Sequence, residues 1–329
     1  MFAKLFAVAQ TTFTETLRQP IYAVIVFLTW MMLLMNVALS AFSLDDDTKL
    51  LLDLGLSTLL LSGLLAAAFC ASGAISGEIE DRTVLTIVSK PISRTTFLLG
   101  KFLGLNGALF MAYYLSSLIF IFTVRHRVIQ STGQAFDEPV LIFGFTAAGI
   151  ALLAAGLGNY LYRWHFSSTF LRLIVPLMTL AFVLVGFISR KWAFQSFGAD
   201  FATKSGAGDL PSLAIALVLI YMAILMISGV ALAASTRLGQ IMTLLICTAF
   251  FLLGLVSNYV FGRFADTHTL ANILYQVTGN LQPFWITDAL TQGGHVTVAY
   301  AGTAMLYGLL YTAGLLSLAV ALFQTREVG

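Results

Sequence analysis

The sequence predicts an all-α polytopic membrane protein, with an amphipathic N-terminal elbow helix and about eight transmembrane helices. Three observations carry this. The 329 residues are 59% hydrophobic and only 10% charged, whereas soluble domains carry about 25% charged residues. Eight stretches approach or exceed the ~20 mainly apolar residues that cross a bilayer. No segment between them is long enough to fold as a soluble domain.

The first element is residues 1–19. Phe2, Leu5, Phe6, Ala9, Phe13 and Leu17 fall on one helical face, and Lys4, Thr11, Thr14, Glu15 and Arg18 on the other. That pattern predicts an amphipathic helix in the headgroup region, ended by Pro20. A signal peptide is a poorer reading, because the apolar patch is too short and polar TTFTETLRQ follows it. Residues 20–329 then form the transmembrane region. The spans fall at 21–42, 50–75, 96–124, 140–161, 170–188, 210–234, 238–261 and 296–323.

With the N-terminus in the cytoplasm, the inner segments hold Lys4, Arg18, Arg82, Lys90, Arg94, Lys101, Arg163, Arg172, Arg237 and Arg326. The outer segments hold Lys49, Arg125, Arg127, Arg190, Lys191, Lys204 and Arg263. Ten basic residues against seven favours this orientation by the positive-inside rule, with both termini cytoplasmic. Two outer loops are long, 189–209 and 262–295. The second contains NLQPFWITDAL, where Pro283, Phe284 and Trp285 suit a short helix or turn at the outer interface.

Several chemistries are missing. A net charge of +2 gives no electrostatic footprint for nucleic acid. Cys70 and Cys247 lie in apolar runs and read as packing residues. There is no CxxC, no ligand spacing among the histidines and hence no metal motif. G-x-x-x-x-G-K-[ST], G-x-S-x-G and H-E-x-x-H do not occur. The chain reads as no enzyme and as holding no cofactor, so any nucleotide hydrolysis belongs to another chain. Few ionisable groups lie at membrane depth. Asp53 is close to water, and Lys101 can snorkel to the inner surface. Asn36, Asn106, Asn159 and Asn258 suit hydrogen bonds between helices.

One polar stretch stands out, ISGEIEDRTVLTIVSKPISRTTFLLGK, from Ile75 to Lys101. Glu78, Glu80, Asp81 and Arg82 lead into the apolar Val84, Leu85, Ile87 and Val88. Pro91 breaks that piece, and Ser93 can cap the next helix. Spacing alone admits two readings, a short amphipathic helix that lies along the membrane or in a partner's groove, or a solvated loop.

The order E-x-E-D-R-T…S-K-P-I-S-R…L-L-G-K resembles the ABC-2 type family of ABC transporter permeases. The nearer likeness is to the six-span branch of multi-copper enzyme maturation and gliding-motility systems. Glu78, Glu80, Arg82, Thr83, Ser89, Pro91, Ile92, Ser93, Arg94, Gly100 and Lys101 carry it, with the elbow, the turn at 235–240 and NLQPFWITDAL in support. The chain departs from the family in having Arg82 where many members have Gly. It also has an additional pair of spans, 140–161 and 170–188, on a six-span core.

The resemblance implies a permease that exports or moves a substrate across or within the bacterial cytoplasmic membrane. ATP and Mg are expected on a separate soluble ABC ATPase subunit. A second permease chain, identical or different, surrounding lipid and further envelope subunits are the other expected partners. The ATPase-coupling segment would be 75–95, through Glu78, Glu80, Arg82, Thr83, Val84, Leu85, Ile87, Val88, Pro91 and Arg94. Two rival functions are a non-transporting mechanotransmitter or scaffold, and a secondary carrier independent of ATP. The carrier requires a buried titratable residue or broken helices.

Overall fold

The computed structural model describes residues 2–41, 47–80, 93–128, 136–201, 210–264, 268–291 and 296–324, without the side chains of 75–80 and Thr291. The helices are α1 Phe2–Arg18, α2 Pro20–Ser40, α3 Asp47–Glu80, α4 Arg94–His126, α5 Glu138–Tyr162, α6 Phe166–Phe187, α7 Leu210–Ser235, α8 Gln240–Val260, α9 Thr269–Thr278, α10 Thr287–Thr291 and α11 Val298–Gln324. Eight of them, α2 to α8 and α11, are long and apolar enough to cross a membrane. The protein is therefore an all-α polytopic membrane protein. Successive spans alternate in direction and define two faces. The N-terminal face carries the end of α3, the starts of α4 and α6, the α7–α8 turn and the end of α11.

The centre is built from α3, α4 and α7, the most enclosed of the spans. In lipid, tight packing and polar bonds must hold helices together, since apolar side chains gain little by leaving lipid for protein. Both devices are present. The Tyr113 hydroxyl donates to the Leu217 carbonyl at 2.6 Å, and Ser228 Oγ donates to Asn106 Oδ1 at 2.8 Å, each joining α4 to α7. On α3, Gly55 faces the Phe120 ring and Gly63 faces Ile224, so these neighbours approach to backbone distance. Asn106 is thus an interhelical group as its type suggests. Asn159 is not: its Nδ2 donates to the Trp164 carbonyl at 2.6 Å and closes the end of α5.

The elbow helix differs in its facing residues. Phe2 and Phe6 are exposed, while Thr12, Thr16 and Leu17 are buried against the protein. The packed stripe is Leu5, Val8, Ala9, Thr12 and Phe13, lying on Gly100, Gly104 and Gly107 of α4. Small residues repeated along α4 make a groove, and short threonines fit it better than phenylalanines. Gln19 is extended and Pro20 starts α2, the position where proline fits a helix. Lys101 does not snorkel. It is buried under α1, with Nζ at 3.6 Å from Glu15 and over the Phe97 ring.

The additional pair α5 and α6 is peripheral. α5 packs almost wholly on α6 through Ala147, Ala151, Ala155 and Gly158. α6 reaches the centre through Tyr114 and Thr179, whose hydroxyls are 3.0 Å apart, and through Phe170 against Trp30.

Candidate functional site

On the N-terminal face, α3 runs for 34 residues. At 1.5 Å per residue that is about 50 Å, well beyond the ~30 Å of hydrocarbon. Glu78 and Glu80 sit on its last turn. Arg82, Thr83, Val84, Leu85, Ile87, Val88 and Pro91 lie outside the described residues. The chain is described again at Ser93, which caps α4 as its type and position suggest. Its extended backbone lets Oγ accept the Thr96 amide at 3.2 Å.

Arg94 turns away from its own helix. Its Nη1 donates to the Gln324 carbonyl at 2.7 Å and to the Phe323 carbonyl at 3.4 Å. Arg237, in the α7–α8 turn, donates from Nε to the Leu322 carbonyl at 3.1 Å. Phe97 stacks on Phe323 with centroids 5.9 Å apart. The last carbonyls of a helix lack intrahelical donors and carry its negative end, so two guanidiniums suit the end of α11. One sequence signal pointed to this. An arginine in the first turn opposes its own helix dipole, so it must serve another element.

The opposite face holds a buried ionic cluster that sequence reasoning missed. Arg125 was expected as an outer-segment charge, yet it and Asp137 are both 0% exposed. Asp137 Oδ2 takes Arg125 Nε at 3.1 Å and Arg190 Nε at 3.3 Å, while Oδ1 accepts the Val140 amide to cap α5. Arg125 also donates to the Ile188 carbonyl at 2.6 Å and to the Val185 carbonyl. Asp200 lies 3.8 Å from its Nη2, and the Phe201 ring covers it at 5.2 Å. The cluster ties the end of α4 to the start of α5 and the end of α6. Arg127 lies beside it, with its Nε buried and without a partner among the described residues. Burial, then Arg190, holds its pKa below the usual guanidinium range, against the pull of Asp200 and Asp137.

The same face contains a segment that turns inward. NLQPFWITDAL forms the short turn its residues suit, a 3-10 turn at Gln282–Phe284, and Leu281, Phe284, Ile286 and Leu290 are buried. The Leu281 amide donates to the Gly254 carbonyl at 3.1 Å and Gln282 Nε2 to the Leu255 carbonyl at 2.9 Å. The Tyr307 hydroxyl accepts the Asn280 amide at 2.7 Å. The Tyr311 hydroxyl donates to the Val277 carbonyl at 2.6 Å. Tyr311 lies about 20 Å along α11 from its start at the 1.5 Å helical rise. Residues 277–284 thus pack partway down α8 and α11, with Leu281 and Phe284 buried and Val277 and Gln282 exposed. Non-helical backbone survives at that depth only where protein groups satisfy it, and the tyrosines and helix carbonyls do so.

These features define a polytopic helical membrane protein whose polar groups gather at the two ends of its spans. Residues 6–159 match the family described as ABC-2 family transporter protein. That match, over a little under half of the chain, supports an ABC-2 type permease, the membrane component of an ABC transporter, and that family implies partnership with an ABC ATPase subunit. It covers most of α1 and extends to the last turn of α5. No curated protein matches the chain significantly.

Proposed function

We propose that this chain is the membrane subunit of an ATP-driven ABC-2 type transporter, and that a separate soluble ATPase works it through residues 75–95. The N-terminal face is then cytoplasmic, in a bacterial inner membrane, and two permease chains pair. One observation carries the reading: 75–95 joins the projecting end of the 34-residue α3 to the start of α4, two of the three central helices. Force applied there reaches the core directly.

Val84, Leu85, Ile87 and Val88 supply apolar anchors for a groove on the ATPase, and Glu78, Glu80 and Arg82 set the register. ATP favours one state of the partner, and only such differential binding shifts an equilibrium. The test is co-purification of the ATPase with Glu80→Lys and Leu85→Asp variants. Both changes are expected to abolish co-purification and ATP turnover. Unaltered capture and turnover in both would sink the coupling assignment.

A further inference from the structure

We infer that α11 is a rod that carries movement from the coupling face to the inward-turning segment 277–284, with Tyr307 and Tyr311 as the positioning residues at its far end. This rests on the ATPase-coupled reading above.

The near end is held where the coupling segment enters α4. Arg94, the second residue after Pro91-Ile92, grips the carbonyls of Phe323 and Gln324, and Arg237 grips Leu322. Any displacement of the start of α4 therefore acts on the end of α11. A 27-residue helix spans about 40 Å and moves as a body. Its side facing α7 is close-packed: a Cβ on Gly229 of α7 would lie 3.3 Å from Leu315 and 3.7 Å from Thr312 of α11.

The far half carries the load. Tyr300 donates to the Pro283 carbonyl at 2.8 Å, Tyr307 accepts from the Asn280 amide and Tyr311 donates to the Val277 carbonyl. Positions 300, 307 and 311 share one helical stripe, by the i, i+7 and i+4 rule. Phe284 stacks on Tyr307 with centroids 6.0 Å apart. Gly279 takes φ +69° directly against the Tyr311 ring, 2.7 Å from where a Cβ would lie. Backbone groups of the segment thus hang on α11 hydroxyls. These are directional bonds in a low-dielectric setting, where losing a partner is costly. A rod moved at its near end pulls on these three bonds, while Leu281 and Gln282 hold the segment to α8 at Gly254 and Leu255.

A structural pathway becomes a coupling claim only when both ends respond to one event. The experiment is hydrogen exchange by mass spectrometry on the permease–ATPase complex, with and without ATP plus vanadate. Peptides covering 316–324 and 277–286 are followed. In the wild type both regions are expected to change with nucleotide. In Tyr307→Phe/Tyr311→Phe the response at 316–324 persists and that at 277–286 is lost. In Arg237→Gln both responses fall. Should the double variant fail to fold, Tyr307→Phe alone is read the same way, with a partial loss. A segment 277–286 that ignores nucleotide in the wild type, or responds fully in the tyrosine variants, overturns the rod while the ATPase reading stands. A wild-type chain that captures no ATPase overturns both.

Discussion

Arg125 and Arg127 are two residues apart and differ in environment. Arg125 is fully enclosed, with a carboxylate at 3.1 Å and backbone carbonyls filling its fork. Removing one member of a buried pair leaves the other charge uncompensated, at a cost of about 3–5 kcal/mol. Arg125→Gln and Asp137→Asn are therefore expected to lower the thermal midpoint of detergent-purified protein by several degrees. Arg127 has no partner for Nε among the described residues and feels repulsion from Arg190. Arg127→Gln is expected to leave that midpoint unchanged or raise it. A loss equal to that of Arg125→Gln would contradict the assignment. Neither fate is legible in the sequence, where both look like loop charges at a span end. The partners that bury Arg125 come from Asp137, Val185 and Ile188, and only the fold brings these together.

At the scale of the element, α1 is held by shape. A Cβ on Gly104 would collide with the Ala9 carbonyl, lie 2.8 Å from Thr12 Cβ and 3.0 Å from the Phe13 amide nitrogen. Backbone atoms cannot yield as a flexible side chain does. Gly104→Ala is expected to destabilise by about 1–3 kcal/mol, the usual cost of overpacking, and Gly104→Leu to displace α1. Limited proteolysis within residues 2–18 reads this directly: faster cleavage in Gly104→Leu, with α4 unchanged, is the expected result. The existence and length of α1 were plain from its periodicity and from Pro20. Its facing was not, because Thr12 looks polar in sequence yet fits a glycine groove, and Thr16 is buried as well. Phe2 and Phe6, the obvious anchors, remain exposed to the surroundings. The element 277–284 was hidden for a related reason. Pro283 and Trp285 are as suitable for an interface as for a buried turn, and the deciding groups, Tyr307 and Tyr311, stand on another helix.

For the whole molecule, lipid makes the architecture readable. A helix satisfies its own backbone groups in hydrocarbon, so the eight apolar stretches became, among the described residues, eight helices long enough to span, with small shifts at their ends. What sequence could not supply were the ties between spans, such as Arg94 with Gln324, since long-range pairing leaves no local pattern. The proposed orientation has a direct test. Cys70 and Cys247 are buried, so they offer little background to a thiol probe. Ala193→Cys lies on the face opposite the N-terminus and Gly239→Cys on the N-terminal face, and both positions are exposed. A membrane-impermeant maleimide added to intact cells is expected to label the first and spare the second. The reverse result would invert the topology and remove 75–95 from the cytoplasm.

The two sets of ties also differ in when they can close during synthesis. Arg125 and Asp137 are 12 positions apart, and Arg190 and Asp200 are 10 apart. Once residue 201 has emerged from the ribosome, every charged member of that cluster is outside it, before α7 has emerged. Arg94 and Gln324 are 230 positions apart, so their bond waits for almost the whole chain. The first six helices can settle early, and α11 is left to fasten the N-terminal face last.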